Sequence, residues 1–129
     1  MSFDHIEASA ADIGRAVQSG ATTATAAVEA SLTHIEKYDP KLGAFTDVVA
    51  ARARQKAAEI DARRARGEKL GPLAGAPFAV KNLFDVAGIA TLSGSKINRS
   101  HKPASADATL ARRLEAAGAI LVGALNMGE

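Results

Sequence analysis

The strongest constraint in this chain is a run of consecutive apolar residues, Ala119-Ile120-Leu121-Val122, with no polar residue between them. A strand with one face in water alternates apolar and polar. A strand that is apolar on both faces must be covered on both, the habit of parallel sheets. A second run of this kind, Pro77 to Val80, lies earlier, bounded by Gly75 and ending abruptly at Lys81. Proline suits a strand's first position. Between the runs, residues 107–117 read as a helix presenting Leu110 and Leu114 on one face, with Gly118 as its stop. Strand, loop, helix and strand form a crossover unit, right-handed and with parallel strands. Both strands then point their carboxyl ends at one rim.

Helices precede that unit. Ser9 caps one over 10–19, with Asp12 in its first turn and Gly20 as its stop. Thr22 or Thr23 caps a second, whose Val28, Leu32 and Ile35 make one apolar stripe and which Asp39-Pro40 ends. A brief extended piece over 44–49 leads into a third helix over 50–66, stopped at Gly67. The expected fold class is α/β, with residues 1–66 a helical lead-in and 67–129 the start of the α/β core of a single domain.

Composition excludes several classes of function. A formal charge of +2 is too small an excess to imply a nucleic-acid partner, and 4% aromatic residues without Trp argue against base-stacking surfaces. With no cysteine there is neither a disulfide framework nor a thiol nucleophile. Residues 1–20 carry Asp4, Glu7 and Asp12 and lack the apolar core of a signal peptide. No apolar run reaches the length of a membrane span, so no membrane partner is expected and the cytoplasm is the expected location. The third helix is basic, with Arg52, Arg54, Lys56, Arg63, Arg64 and Arg66. It reads either as a surface for RNA or an acidic partner, or as a solvated face whose carboxyl-terminal cations complement the helix dipole. The interspersed Glu59 and Asp61 favour the solvated face.

The chemistry-bearing candidates gather at the strand ends. In α/β folds sites lie outside the carboxyl ends of the strands, where Lys81 stands. A lysine buried there loses the solvation of its charged form and can become a base; one that snorkels to the surface does not. Asn126 and Met127 follow the second strand to the same rim, as lining of a substrate cavity or as a turn residue and a core methionine. The stretch 87–105 is long for a structureless connection, and such loops are functional or disordered. Its Ser93 and Ser95 lack the Gly-x-Ser-x-Gly setting of an activated nucleophile. Its Lys96, Arg99, His101 and Lys102 read as a phosphate site or, preferably, a solvated loop. His34 has no further ligand at suitable spacing, so no metal site is expected.

The run Gly71-Pro72-Leu73-Ala74-Gly75-Ala76-Pro77-Phe78-Ala79-Val80-Lys81-Asn82 resembles the entrance to the amidase signature family. So do Gly88, Thr91 and Gly94-Ser95, then Asp107-Ala108-Thr109-Leu110, Leu114 to Ala119, and the closing Val122 to Glu129, in both order and spacing. The resemblance implies a mixed sheet with covering helices, of which this chain looks like the amino-terminal part. It also implies amide-bond hydrolysis by a Ser–cis-Ser–Lys triad without a cofactor. Lys81 matches the triad lysine; both serines, and the Gly/Ser-rich stretch that carries them, are not among these residues, so alone they are expected to be inactive. The implied partners are a small-molecule amide and an accessory subunit or second copy. Readings left open are the amidase subunit of a tRNA-dependent amidotransferase and a non-catalytic interaction module. One departure is Asn82, where many members of the family place Asp after the lysine; a carboxylate there would favour a charged lysine.

Overall fold

A computed structural model describes residues 3–128. The elements run α1 (Ala10–Ser19), α2 (Ala24–Leu42), β1 (Phe45–Val48), α3 (Ala50–Ala65), β2 (Pro77–Lys81), a 3₁₀ turn (Lys96–Ser100), α4 (Thr109–Ala116) and β3 (Ile120–Leu125). Glu129, the last residue of the closing motif, lies outside the described residues.

Helix α1 starts as its sequence dictates. The Ser9 side chain accepts from the Asp12 N–H while the Asp12 carboxylate accepts from the Ser9 N–H, a reciprocal capping box. Thr23, rather than Thr22, caps α2. That helix also recruits Asp61 from α3, which accepts from the N–H groups of Ala24 and Thr25 at 2.8 and 3.0 Å. The expected stop at Asp39-Pro40 is corrected: α2 runs through Pro40 to Leu42. Pro40 forgoes only one intrahelical bond, and the extra turn is closed elsewhere. Gly43 turns left-handed and donates to the Asp39 carbonyl, while the Asp39 carboxylate takes the N–H groups of Ala44 and Phe45.

The sheet has the order β1-β3-β2, with β2 and β3 parallel and β1 antiparallel to β3. The crossover expected from the two apolar runs is present, and Lys81 stands in register with Leu125. The piece over 44–49 is more than a lead-in, because Phe45–Val48 pairs along the other edge of β3. That makes β3 the central strand, which accounts for its unbroken apolar run. Gly123 lets β1 come close: a Cβ there would stand 2.5 Å from the Asp47 carbonyl oxygen and 2.7 Å from the Phe45 ring.

The larger core lies between α1, α2, α3 and one face of the sheet. Val17, Val28, Ala53, Ala57, Ile120 and Val122 are buried there. A smaller cluster on the other face joins Val80, Val86 and Leu121, with half-buried Phe78, Phe84 and Ile89 packed against it. Helix α4 is shorter than expected, and its buried residue is Ala111, not the expected pair Leu110 and Leu114. Leu110 is exposed and Leu114 half-buried. Arg52 ties α3 to this part of the chain through Asp107 at 2.6 Å and through Glu115. No helix among the described residues is long and apolar enough to cross a membrane.

Candidate functional site

Lys81 is the last residue of β2, and the chain beyond it folds back over the strand ends. Its side chain is exposed rather than buried, and it leaves the backbone on the side opposite the buried Asn82. Among the described residues no side chain forms a hydrogen bond or ion pair with the Lys81 amine.

Asn82 is the organising polar residue of this rim, at 2% exposure. Its Nδ2 donates to Thr46 Oγ1 at 2.7 Å and lies 3.5 Å from Asp47 Oδ2. Its Oδ1 accepts from the Leu92 N–H at 2.8 Å, and its carbonyl from the Ser93 N–H at 2.7 Å. Its own N–H donates to the Leu125 carbonyl, extending the β2–β3 ladder by one bond. A buried amide with its donors and acceptor engaged joins three separate pieces of chain, β1, β3 and the loop after Lys81 at Leu92 and Ser93. From the sequence Asn82 was legible only as a substitution beside a lysine. What singles it out structurally is tertiary: its partners come from residues far apart in the chain.

That loop is ordered by its own bonds. Thr91 Oγ1 donates to Asp85, the Ala87 N–H donates to Asp107, and Gly88 and Ala104 pair backbone to backbone. Asn98 Nδ2 donates to the Leu92 carbonyl, pinning the 3₁₀ turn to the rim. Asp107 is lowered below its ordinary carboxylate value, mainly by hydrogen bonds from Arg52, with burial opposing. Arg52 is correspondingly raised, chiefly by its bond to Asp107.

A cavity of about 250 Å³ opens among Thr46, Asn82, Leu92, Gly94, Ser95, Lys96, Arg99, Asn126 and Met127. The two residues beyond β3 therefore line this cavity together with Asn82, the neighbour of Lys81; Lys81 itself does not line it. Asn126 also acts as a turn residue, its Nδ2 donating to the Gly43 carbonyl and its N–H to the Ala44 carbonyl. The basic cluster read from the loop divides: Lys96 and Arg99 face this cavity, while His101 and Lys102 border a separate one with Asp85 and Asp107. Ser93 is exposed, and Ser95 lies on the cavity wall with no base within hydrogen-bond reach among the described residues. His34 packs on Tyr38 with ring centroids 4.6 Å apart. No cluster suited to a metal occurs among the described residues.

The basic face of α3 is largely neutralised in place. Arg54 pairs with Glu29, Lys56 with Glu59, and Arg63 and Arg66 share Glu68. Arg64 donates to the Gln18 carbonyl. Such pairing fits the solvated-face reading of that helix.

Comparison with known proteins agrees with the architecture. The family model described as Amidase matches residues 26–129. The chain is 54% identical over 118 residues to the AtzE subunit of 1-carboxybiuret hydrolase from Pseudomonas sp. (strain ADP), covering 92% of this chain and 26% of that protein. It is 50% identical over 118 residues to a glutamyl-tRNA(Gln) amidotransferase subunit of Anaeromyxobacter dehalogenans (strain 2CP-C), covering 92% and 24%. A solved, inhibitor-bound complex of an s-triazine catabolic enzyme superposes with a TM-score of 0.92 at 52% identity, covering 95% of this chain and 27% of that one. The chain thus spans about a quarter of the length of the relatives it matches. With matching motifs, matching sheet and a family model over most of its length, the chain belongs to the amidase signature family.

Proposed function

We propose that these residues are the amino-terminal part of an amide hydrolase in which Lys81 is the base of a Ser–cis-Ser–Lys triad. The observation that carries the reading is positional. Lys81 ends a parallel strand in register with Leu125, so it stands on the rim where Asn82, Asn126 and Met127 border a cavity. In this reading the lysine takes the proton of the middle serine, which relays that of the nucleophilic serine. The nucleophile attacks the amide carbonyl and forms an acyl-enzyme, with backbone N–H groups stabilising the oxyanion. Both serines come from polypeptide outside these residues, as does the cover an exposed lysine needs to work as a base. Asn126 and Met127 line the substrate side of the cavity, and no cofactor takes part.

In this reading residues 80–86 resemble the large subunit of 1-carboxybiuret hydrolase, and the 54% identity to a subunit of that enzyme supports a small linear amide as substrate. A second reading, the amidase subunit of a tRNA-dependent amidotransferase, is supported by the 50% identity to an amidotransferase subunit. In either case we place the enzyme in the cytoplasm with an accessory subunit or second copy as partner. Glutamine hydrolysis dependent on charged tRNA and partner subunits would favour the second reading.

The test is Lys81→Ala and Lys81→Arg in the complete enzyme. Both should lower kcat on the order of a hundredfold or more, since alanine removes the proton acceptor and guanidinium stays charged. Near-normal turnover by a folded Lys81→Ala enzyme would end the assignment.

A further inference from the structure

Two segments leave the sheet at the Lys81 rim, the loop that follows β2 and the chain that follows β3, and Asn82 braces one against the other. Its Oδ1 takes the Leu92 N–H at 2.8 Å and its carbonyl takes the Ser93 N–H at 2.7 Å. The Leu92 carbonyl in turn accepts from the Ser95 N–H and from Asn98 Nδ2. The turn so held is strained: Ser93, although not a glycine, has φ +49°, and Gly94 follows at φ +75°. Its far side rests on the chain beyond β3. A Cβ on Gly94 would stand 2.8 Å from the Gly128 carbonyl oxygen and 3.1 Å from that of Met127, so only glycine allows the approach. On the near side Asn82 Nδ2 donates to Thr46 Oγ1 on β1, which lies 3.3 Å from the Ala124 carbonyl of β3. The turn and the chain beyond β3 supply Leu92, Gly94, Ser95, Asn126 and Met127 to one cavity.

We propose that Asn82 is a positioning residue for the Lys81 reaction: through the Leu92–Gly94 turn it sets where the chain beyond β3 stands relative to the lysine-bearing strand end. The inference rests on the amide-hydrolase reading and adds to it a residue that acts through the backbone it holds. Asn82 works by placement and not by charge, since its side chain leaves the strand on the side opposite Lys81. The brace also calls for an amide. Nδ2 lies 3.5 Å from Asp47 Oδ2, so a carboxylate at 82 would face a like charge unless Asp47 became an amide in exchange.

The experiment measures kcat per folded molecule of the complete enzyme, by ammonia release from butyramide or glutamine, together with amide exchange. Asn82→Ala should lower kcat about ten- to a hundredfold, the scale expected when reacting groups are misplaced by about 1 Å. Exchange should accelerate at Leu92 and Ser93 and also at Asn126, whose N–H meets the Ala44 carbonyl on the far side of the brace. Gly94→Ala should do the same from the other end, and the two losses should not multiply, because both release one contact. Asn82→Asp should lose activity as well, and adding Asp47→Asn should recover most of it with the pH profile of the unmodified enzyme. Unchanged kcat in folded Asn82→Ala overturns the inference, as do losses that multiply or an exchanged pair that recovers nothing. A displaced acid limb of kcat/KM in the recovered variant also overturns it, because charge at 82 would then reach Lys81. Slow exchange at Asn126 in Asn82→Ala does so even where neither amide is hydrolysed. Lys81→Ala alone judges the hydrolase reading and Asn126 exchange needs no turnover, so each can fail without the other.

Discussion

The two faces of the sheet are built on different principles. On one, α1, α2 and α3 cover β3 with alanines and branched side chains, and the contacts are almost wholly apolar. Buried Ala24, Ala27, Ala53 and Ala57 let the helices approach closely. On the other, the buried apolar residues reduce to Val80, Val86 and Leu121, and the loop after Lys81 is held largely by hydrogen bonds through Asn82, Asp85 and Asp107. Packing specifies the first face and polar geometry the second. The difference puts apolar packing behind the strands and a hydrogen-bonded loop in front of them. It also predicts that substitutions on the two sides will fail in different ways.

The largest effect should come from the packed face. Ile120 is fully buried at the start of β3, and Ile120→Ala leaves a cavity between the sheet and its helices. The expected loss is about 2–5 kcal/mol, read from urea denaturation of the complete protein. Binding at the rim of the surviving folded fraction should be unchanged. A loss below about 1 kcal/mol would show that the helical layer collapses onto the gap, and the contrast between the faces would weaken.

Asn82→Asp probes the polar face and should cost less, about 1–3 kcal/mol. The new carboxylate would stand where Nδ2 now lies 3.5 Å from Asp47, and it could no longer donate to Thr46. The sharper readout is local. Amide exchange should accelerate at Leu92 and Ser93, whose N–H groups Asn82 accepts, and remain slow at Ile120 and Val122. Uniform acceleration across both faces would mean that Asn82 supports global stability rather than the loop.

These contrasts mark how much was legible in the sequence. Periodicity and capping chemistry are local, so α1, the start of α2 to within one residue and the extent of α3 could be read from Ser9, the pair Thr22-Thr23 and Gly67. The two apolar runs likewise revealed the crossover. β1 could not be read as a sheet strand, because Phe45–Val48 is short and owes its place to the close approach that Gly123 allows. Pro40 misled because its local rule was outweighed by a cap built from Asp39. At the rim, position alone located Lys81, Asn126 and Met127. The partners of Asn82, and the split of the basic loop into two cavities, depend on distant residues and left no signal in any short stretch.

The smallest effect should come from a pair that looks strong by distance alone. Arg54 bonds Glu29 at 2.6 Å on the surface, with both side chains about half exposed, whereas Arg52 bonds Asp107 with both largely buried. Solvent and salt screen the first pair, and such exposed pairs contribute little. Both acids lie below their ordinary range, each chiefly because an arginine donates hydrogen bonds to it. A carboxylate lowered in the folded state contributes stability above its unfolded value, and that contribution is lost as pH falls through the folded one. The window is therefore acidic, from about pH 4 downward. Glu29→Gln should leave the stability-against-pH curve of the complete protein unchanged within error, while Asp107→Asn should flatten its acid limb. If Glu29→Gln flattens the limb as much as Asp107→Asn does, burial is not what separates the two pairs, and the stability assigned to the Arg52 cluster has to be sought elsewhere.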